Sequence, residues 1–259
     1  MIISKIIGGL GNQMFQYAYA RNLSLVNNTD FYLDTSGYNN QGGVTHREFT
    51  LTKFPNIVTN LEIPNSLPPL KTITDNFVYD PNSIPTQNCL LDGYWQSEKY
   101  FKPSKDTIIQ DFSIDYQTKQ KLTKKYPSIN GDNISLHIRR GDYVHQTNFH
   151  PIQSIEYYKK ALDILGDYDN IFVFSDDIPW CKDNLSFNNM VFVGGNVDIE
   201  DLWLMSLCKK NIIVNSSFSW WGAYLNTSRD KVVISPSNWF GPSAGLNSGD
   251  IIPDEWNKI

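Results

Sequence analysis

The stretch that decides the fold is Ser135-Leu136-His137-Ile138-Arg139-Arg140-Gly141-Asp142-Tyr143. Residues 134–139 alternate as a strand does, with Leu136 and Ile138 on one side and His137 and Arg139 on the other. Outward from it, strand patterns at 171–174, 190–193, 212–214 and 232–234 are interleaved with helical patterns at 152–165, 199–208 and 217–225. Short apolar strands, each followed by a helix, predict a doubly wound parallel sheet. Such sheets bind ligands in the loops beyond the carboxyl ends of their strands, so the residues just after each strand are where chemistry is expected.

Three of those strand ends carry suitable groups. Two adjacent arginines, Arg139 and Arg140, end a buried strand, which is costly unless an anion or a carboxylate meets them. Guanidinium forks suit phosphate oxygens; a purely structural pairing with Asp142 is the alternative. After 171–174 come Ser175, Asp176 and Asp177. A carboxylate there can accept two hydrogen bonds from guanine, or it can simply cap the next helix, a reading that Pro179 also fits. After 212–214 the run Asn215-Ser216-Ser217-Phe218-Ser219-Trp220-Trp221-Gly222 leads into a helix. Its first-turn N–H groups and hydroxyls make an anion site. The alternative is an ordinary Ser/Asn cap with the tryptophans in the core.

The N-terminal half is less regular. Residues 2–7 read as a buried strand and 12–25 as a helix with Met14, Phe15, Ala18 and Leu25 on a stripe. Residues 31–33 read as a second strand ending at Asp34. The intervening Gly8-Gly9-Leu10-Gly11-Asn12-Gln13-Met14, with Asp34, mimics a dinucleotide-binding fingerprint, but Met14 stands where the third glycine belongs. The amides of Asn12 and Gln13 suit sugar hydroxyls or N-capping equally. From 36 to 105 seven prolines break the pattern, and loops with short elements over a small sheet are expected. Residues 115–126 predict a polar helix halted by Pro127, and the division between two lobes is expected at 127–132, giving 1–128 and 129–259.

Composition narrows the classes. With 259 residues, 41% of them hydrophobic, the chain can bury a core, and its net charge of −5 argues against nucleic acid or an anionic membrane surface as partner. The three cysteines lack metal-ligand spacing and read as reduced, partly buried thiols. The apolar start is too short for a membrane span or signal peptide. Asp167-Tyr168-Asp169 has the Asp-x-Asp form of metal-dependent glycosyltransferases, but it precedes a strand instead of following one, so no metal is expected.

Residues 8–15 (GGLGNQMF), 137–143 (HIRRGDY), 174–177 (FSDD) and 215–225 (NSSFSWWGAYL) resemble, in order along nearly the whole chain, the α-1,2-fucosyltransferase family, glycosyltransferase family 11. More distantly they resemble the α-1,6- and protein O-fucosyltransferases. The resemblance implies a two-lobed GT-B-like α/β enzyme, inverting and metal-independent. It implies transfer of L-fucose from GDP-fucose to the 2-hydroxyl of a galactoside, in O-antigen or capsule synthesis, by a bacterial cytoplasmic form without a membrane anchor. Peripheral association with a membrane stays open. The N-terminal lobe is the acceptor side and the C-terminal lobe the donor side. The resemblance further implies that Arg139, with Arg140, holds the donor pyrophosphate, that His137 lies near the guanosine, and that Asp177 recognises guanine. Ser217, Phe218 and Ser219 line the phosphates, and Gly11, Asn12 and Gln13 face the cleft, Asn12 close enough to take part in the chemistry. The α-1,6 relatives carry a glutamate after the arginine motif, whereas residues 145–148 here hold no carboxylate. The base is therefore open between Asp142, which is preferred, His150 and a phosphate oxygen. Two rival classes remain: a nicotinamide-dependent oxidoreductase, resting on Gly9, Gly11 and Asp34, and a non-catalytic sugar-binding protein, resting on the 14% aromatic content.

Overall fold

The apolar N-terminal run forms β1 (Ile2–Lys5) in the computed structural model, which describes residues 1–39, 46–86 and 88–259. Gly8, at φ +79°, turns the chain into α1 (Leu10–Asn27), which begins two residues before the expected start. The conformation suits glycine because a side chain there clashes with the backbone. α1 is buried on almost every side, not along one stripe, and Leu25, expected inside, is exposed in its last turn. The chain then forms β2 (Phe31–Asp34), β3 (Lys71–Thr74), β4 (Cys89–Asp92) and α2 (Lys105–Asp111). These strands make a parallel sheet in the order β2-β1-β4-β3. The irregular span was expected to lie over the sheet; it supplies two of its strands instead. β3 is mostly exposed, and each of the two has four residues, too few for a period to register.

The second sheet follows the expected pattern closely. α3 (Tyr116–Lys125) is capped by Asp115, whose carboxylate accepts the Thr118 N–H at 2.9 Å, and buries only Leu122. Then come β5 (Ile134–Ile138), α4 (Ile155–Leu165), β6 (Ile171–Ser175), α5 (Ile178–Asn184), β7 (Met190–Phe192), α6 (Asp198–Leu207), β8 (Lys210–Ile212), α7 (Ser217–Tyr224), β9 (Val232–Ser235) and β10 (Asn257–Lys258). The sheet is parallel throughout, in the order β10-β9-β8-β5-β6-β7. β8 ends two residues earlier than its sequence suggests, so the loop before α7 starts at Ile213. β5 is buried along its whole length, and Leu136, Ile138, Val173 and Ile212 join Tyr158 and Ala161 of α4 in the core.

Contacts group Met1–Ser113 with Leu246–Pro253 as one unit and Ile114–Gly245 with Asp254–Ile259 as another. The second unit thus takes in α3, which is tied to α6 by a Lys121–Glu200 ion pair at 3.0 Å. The division expected at 127–132 falls after that helix. Cys89, Cys181 and Cys208 are free, buried thiols, and burial pushes Cys89 up to about 11. No helix among the described residues is long and apolar enough to cross a membrane.

The second sheet has one place where the strand order reverses. In the second unit the chain runs β5-β6-β7 to one side and β8-β9-β10 to the other, so the crevice lies between the ends of β5 and β8. In the first unit β1 and β4 are the two central strands. A reversal point such as that between β5 and β8 is where open α/β sheets bind ligands.

Candidate active site

At the β5–β8 reversal of the second unit, Arg139 and Arg140 leave the end of β5 and enter a 3₁₀ turn, Gly141–His145. The Arg139 guanidinium meets Asp142 at 2.6 Å and Asp176 at 2.9 Å. Arg140 meets Asp177 at 3.1 Å through Nε, and its backbone N–H donates to Asp176 at 2.9 Å. The Arg140 guanidinium also stacks 4.0 Å above the Trp180 ring. Burial works against the charge on Arg139, but Asp176 and Asp142 together outweigh it and raise its pKa. Both sequence readings of the arginines thus have a physical basis: carboxylates neutralise them here, yet two carboxylates do not exhaust the five N–H groups of a guanidinium. Gly141 is required by packing, because a Cβ there would run into the Asp176 carboxylate.

Asp177 caps α5, accepting the Trp180 N–H at 3.1 Å on one oxygen while the other meets Arg140. The capping alternative raised by the sequence is therefore realised. Its side chain stays 37% exposed, so it retains access to solvent. Asp176, the lesser candidate in the sequence, is the residue that holds both arginines. Its signal was adjacency alone, since two aspartates at one strand end cannot be ranked without coordinates.

The β8 side contributes a wall and a helix start. Asn215 is buried; its Oδ1 accepts from Gln153 at 3.1 Å, and its carbonyl accepts the Tyr143 hydroxyl at 3.0 Å. Tyr143 in turn stacks on His150, with ring centroids 4.3 Å apart, and lies under the Arg139 guanidinium. This chain of contacts fixes the 3₁₀ turn carrying Asp142. The sequence offered no sign of Gln153, which is far from any motif. Ser217 and Phe218 open α7 and are partly exposed, whereas Ser219 points inward. The Ser219 hydroxyl accepts the Val214 N–H at 3.4 Å and donates to the Ser216 carbonyl at 3.3 Å. Trp220 and Trp221 are fully buried and pack with Tyr224, as the core reading requires.

His137, one residue before the end of β5, is buried, with its ring 5.8 Å from that of Phe218. Its Nδ1 has no hydrogen-bond partner among the described residues. Burial, aided by the Arg139 charge, pushes its pKa down to about 3, so the ring is neutral at any working pH. His150 is also lowered, again chiefly by burial.

In the first unit the three residues named from the glycine loop part company. Gly11 and Gln13 are buried within α1. The Gln13 amide is spent on backbone: Nε2 donates to the Gly8 and Glu48 carbonyls at 3.0 and 2.7 Å, and Oε1 accepts the Thr50 N–H at 2.9 Å. Only Asn12 remains partly exposed, its Oδ1 accepting from Gln96 at 2.8 Å. Asp34 caps its own turn through the Ser36 N–H at 3.0 Å. Asp167 and Asp169 sit before β6, at the amino edge of the sheet. There the Asp169 carboxylate accepts the Asp132 N–H at 2.7 Å. Among the described residues no group of three or more His, Cys, Asp or Glu is arranged to hold a metal.

The family model for glycosyl transferase family 11 matches residues 3–259. An α-1,2-colitosyltransferase of Escherichia coli is 34% identical, the alignment covering 100% of this chain and 99% of the relative. The O-antigen biosynthesis glycosyltransferase WbnK of Escherichia coli is 32% identical over 99% of both. Among solved structures, the α-1,6-fucosyltransferase NodZ soaked with GDP-fucose superposes with a TM-score of 0.53 at 15% identity, covering 86% of this chain and 91% of that one. That likeness is one of fold, and it makes the architecture GT-B-like. With the family model spanning almost every residue and the arginine motif at the sheet's reversal point, the chain belongs to glycosyltransferase family 11, the α-1,2-fucosyltransferase family.

Proposed function

We propose that this chain transfers L-fucose from GDP-fucose to the 2-hydroxyl of a galactoside, with inversion and without a metal, in the synthesis of O-antigen or capsule oligosaccharide in the cytoplasm. The observation that carries this reading is the arginine pair at the β5–β8 reversal point, beside the start of α7. Positive charge from Arg139, Arg140 and the first-turn N–H groups of α7 would meet the donor pyrophosphate there. His137 and Phe218 would flank the guanosine, and Asp177 would accept from guanine N1 and N2. Ser217 and Ser219 belong to the phosphate side, the latter by shaping the loop. The acceptor is assigned to the N-terminal lobe, where Asn12 is the exposed amide of Gly11-Asn12-Gln13.

In the reaction the acceptor oxygen bonds to the anomeric carbon as the bond from that carbon to the phosphate oxygen breaks. The electron pair leaves with GDP, and Arg139 stabilises the growing charge. The acceptor proton passes late to the Asp142 carboxylate. Binding of the pyrophosphate to Arg139 competes with Asp142 for the same guanidinium, and so frees that carboxylate for the proton. A second reading of the donor has one specific support, the 34% identical α-1,2-colitosyltransferase. Colitose is fucose without its 3-hydroxyl, so a GDP-linked 3-deoxy sugar would use the same pyrophosphate site.

Two measurements test the class. GDP and GDP-fucose should each raise the melting temperature, because a ligand that binds only the folded state stabilises it. ADP and UDP at equal concentration should do much less, and equal shifts from all three would remove Asp177 from guanine recognition. Transfer should also persist in excess EDTA. The carboxylates nearest the arginines are already paired with them, and Asp167 and Asp169 lie at the other edge of the sheet. Activity lost to EDTA and restored by Mn²⁺ would overturn the metal-free reading. Competition between GDP-fucose and its 3-deoxy counterpart, with the product linkage read by NMR, separates the two donors.

A further inference from the structure

Ligands of α/β sheets sit beyond the carboxyl ends of the strands, and in the first sheet the two central strands are β1 and β4. Two amide side chains meet there. Asn12 lies in the first turn of the helix that follows β1, and Gln96 lies four residues beyond β4. They are bonded side chain to side chain, Gln96 Nε2 donating to Asn12 Oδ1 at 2.8 Å.

The neighbouring amides of α1 are spoken for. Gln13 is bound to backbone on both sides, and buried Gln16 accepts the Ile7 N–H at 3.0 Å while donating to the Gly93 carbonyl at 3.1 Å. Those bonds knit the loops after β1 and β4 together. The Asn12–Gln96 pair is different, because it is left with capacity. Gln96 Oε1 has no hydrogen-bond partner among the described residues, and a buried amide oxygen without one is unfavourable. Asn12 Nδ2 still has donors to give, and Gly8, where a Cβ would lie 2.8 Å from that nitrogen, leaves it room.

The loop bearing Gln96 is also held in an unfavourable conformation. Trp95, a non-glycine residue, sits at φ +55°, fixed by Asp75, whose carboxylate accepts the Tyr94 and Trp95 N–H groups at 3.1 and 2.8 Å. Strain of this kind is unfavourable and persists where surrounding structure enforces it, commonly at binding sites. Gln96 lines a small recess together with Asp75, Phe77, Tyr79, Tyr100 and Asp250. Carboxylates and an amide acceptor beside aromatic rings are the kinds of group that recognise a hydroxyl-bearing sugar.

We propose that Gln96, held in register by Asn12, reads a hydroxyl of the acceptor sugar: the hydroxyl donates to Gln96 Oε1 and accepts from Asn12 Nδ2. This rests on the assignment of the acceptor to the N-terminal lobe. It adds a specificity-determining residue outside every motif named from the sequence.

The test uses the full chain, GDP-fucose, a β-galactoside, and that galactoside's 3-, 4- and 6-deoxy analogues, with Gln96→Ala and the near-isosteric Gln96→Met as variants. Both variants should raise the acceptor KM roughly tenfold, the scale of one lost hydrogen bond. The GDP-fucose melting shift and slow hydrolysis of GDP-fucose by water should stay at wild-type level. One deoxy analogue that the wild type handles about tenfold worse than the parent should be handled equally well by the variants. Unchanged acceptor KM in a folded variant, a full set of deoxy penalties retained, or a loss confined to GDP-fucose affinity would each overturn the assignment. If the wild type hydrolyses GDP-fucose but transfers fucose to no galactoside, the acceptor reading itself fails, and the Gln96 assignment falls with it.

Discussion

Arg139→Lys is expected to lower turnover by roughly a hundredfold or more while leaving the fold intact, the scale for losing one preorganised donor to developing charge. Lysine keeps the positive charge but offers a single ammonium where arginine presents a planar fork. That fork spans Asp142 and Asp176, at 2.6 and 2.9 Å on its two terminal nitrogens, a geometry one ammonium cannot reproduce. GDP affinity should weaken as well, since under the proposed function the pyrophosphate meets the same donors. The structural alternative, in which Arg139 only neutralises its carboxylates, predicts a different pattern. Breaking a buried pair costs about 3–5 kcal/mol, and this pair is about a quarter exposed, so solvent screening reduces that figure. Kinetics and melting curves on one preparation decide between them. A large drop in melting temperature, with activity per folded molecule near wild type, would remove Arg139 from the chemistry.

The same geometry explains why three aspartates surround two arginines. A guanidinium pair at the end of a buried strand is costly, and Asp142, Asp176 and Asp177 offset that cost. The three differ in what else binds them. Asp176 also accepts the Arg140 N–H, and Asp177 also caps α5, so both are anchored to backbone. Asp142 lies on the 3₁₀ turn beside Arg139.

The second unit was legible because β5 and β6 are short, apolar and buried, and β5 through β8 are each followed by a helix, so period and punctuation agree. Its arginine motif stood out for a thermodynamic reason: adjacent charges at the end of a buried strand demand a partner. β3 and β4 were illegible because four-residue strands set among proline-rich loops leave no period to count. The glycine loop misled in detail. Helix α1 absorbs Gly11 and Gln13, and whether an amide faces inward or outward depends on tertiary contacts with residues 46–50 that no local pattern encodes. Ser219 is the same lesson at the start of α7: a serine in a phosphate-type loop can spend its hydroxyl on the loop itself. Gln96 lies in no motif at all, and only the strand order brings it beside Asn12.

His137 should make the protein acid-sensitive in a way that can be assigned to one ring. Burial holds its folded-state pKa near 3, against about 6.5 in an unfolded chain. Below pH 6.5 the unfolded state therefore binds a proton that the folded state refuses. Stability from this group is fully present above pH 6.5 and is lost progressively as pH falls toward 3. Between pH 7 and pH 4 the loss is on the order of 3 kcal/mol, at about 1.4 kcal/mol per pH unit below 6.5. His137→Gln keeps a polar side chain but cannot titrate. Urea unfolding of both proteins at pH 7 and pH 4 should show the wild type losing about 3 kcal/mol more than the variant. Parallel acid profiles would mean that the ring accepts a proton in the folded state. In that case His137 would be a cation beside Arg139 and could no longer be read as a neutral wall beside the nucleoside. It would then contribute charge to the pyrophosphate, and donor affinity should strengthen as pH falls through its pKa. A neutral His137 predicts that donor affinity has no such dependence, because Arg139 keeps its charge across the whole range.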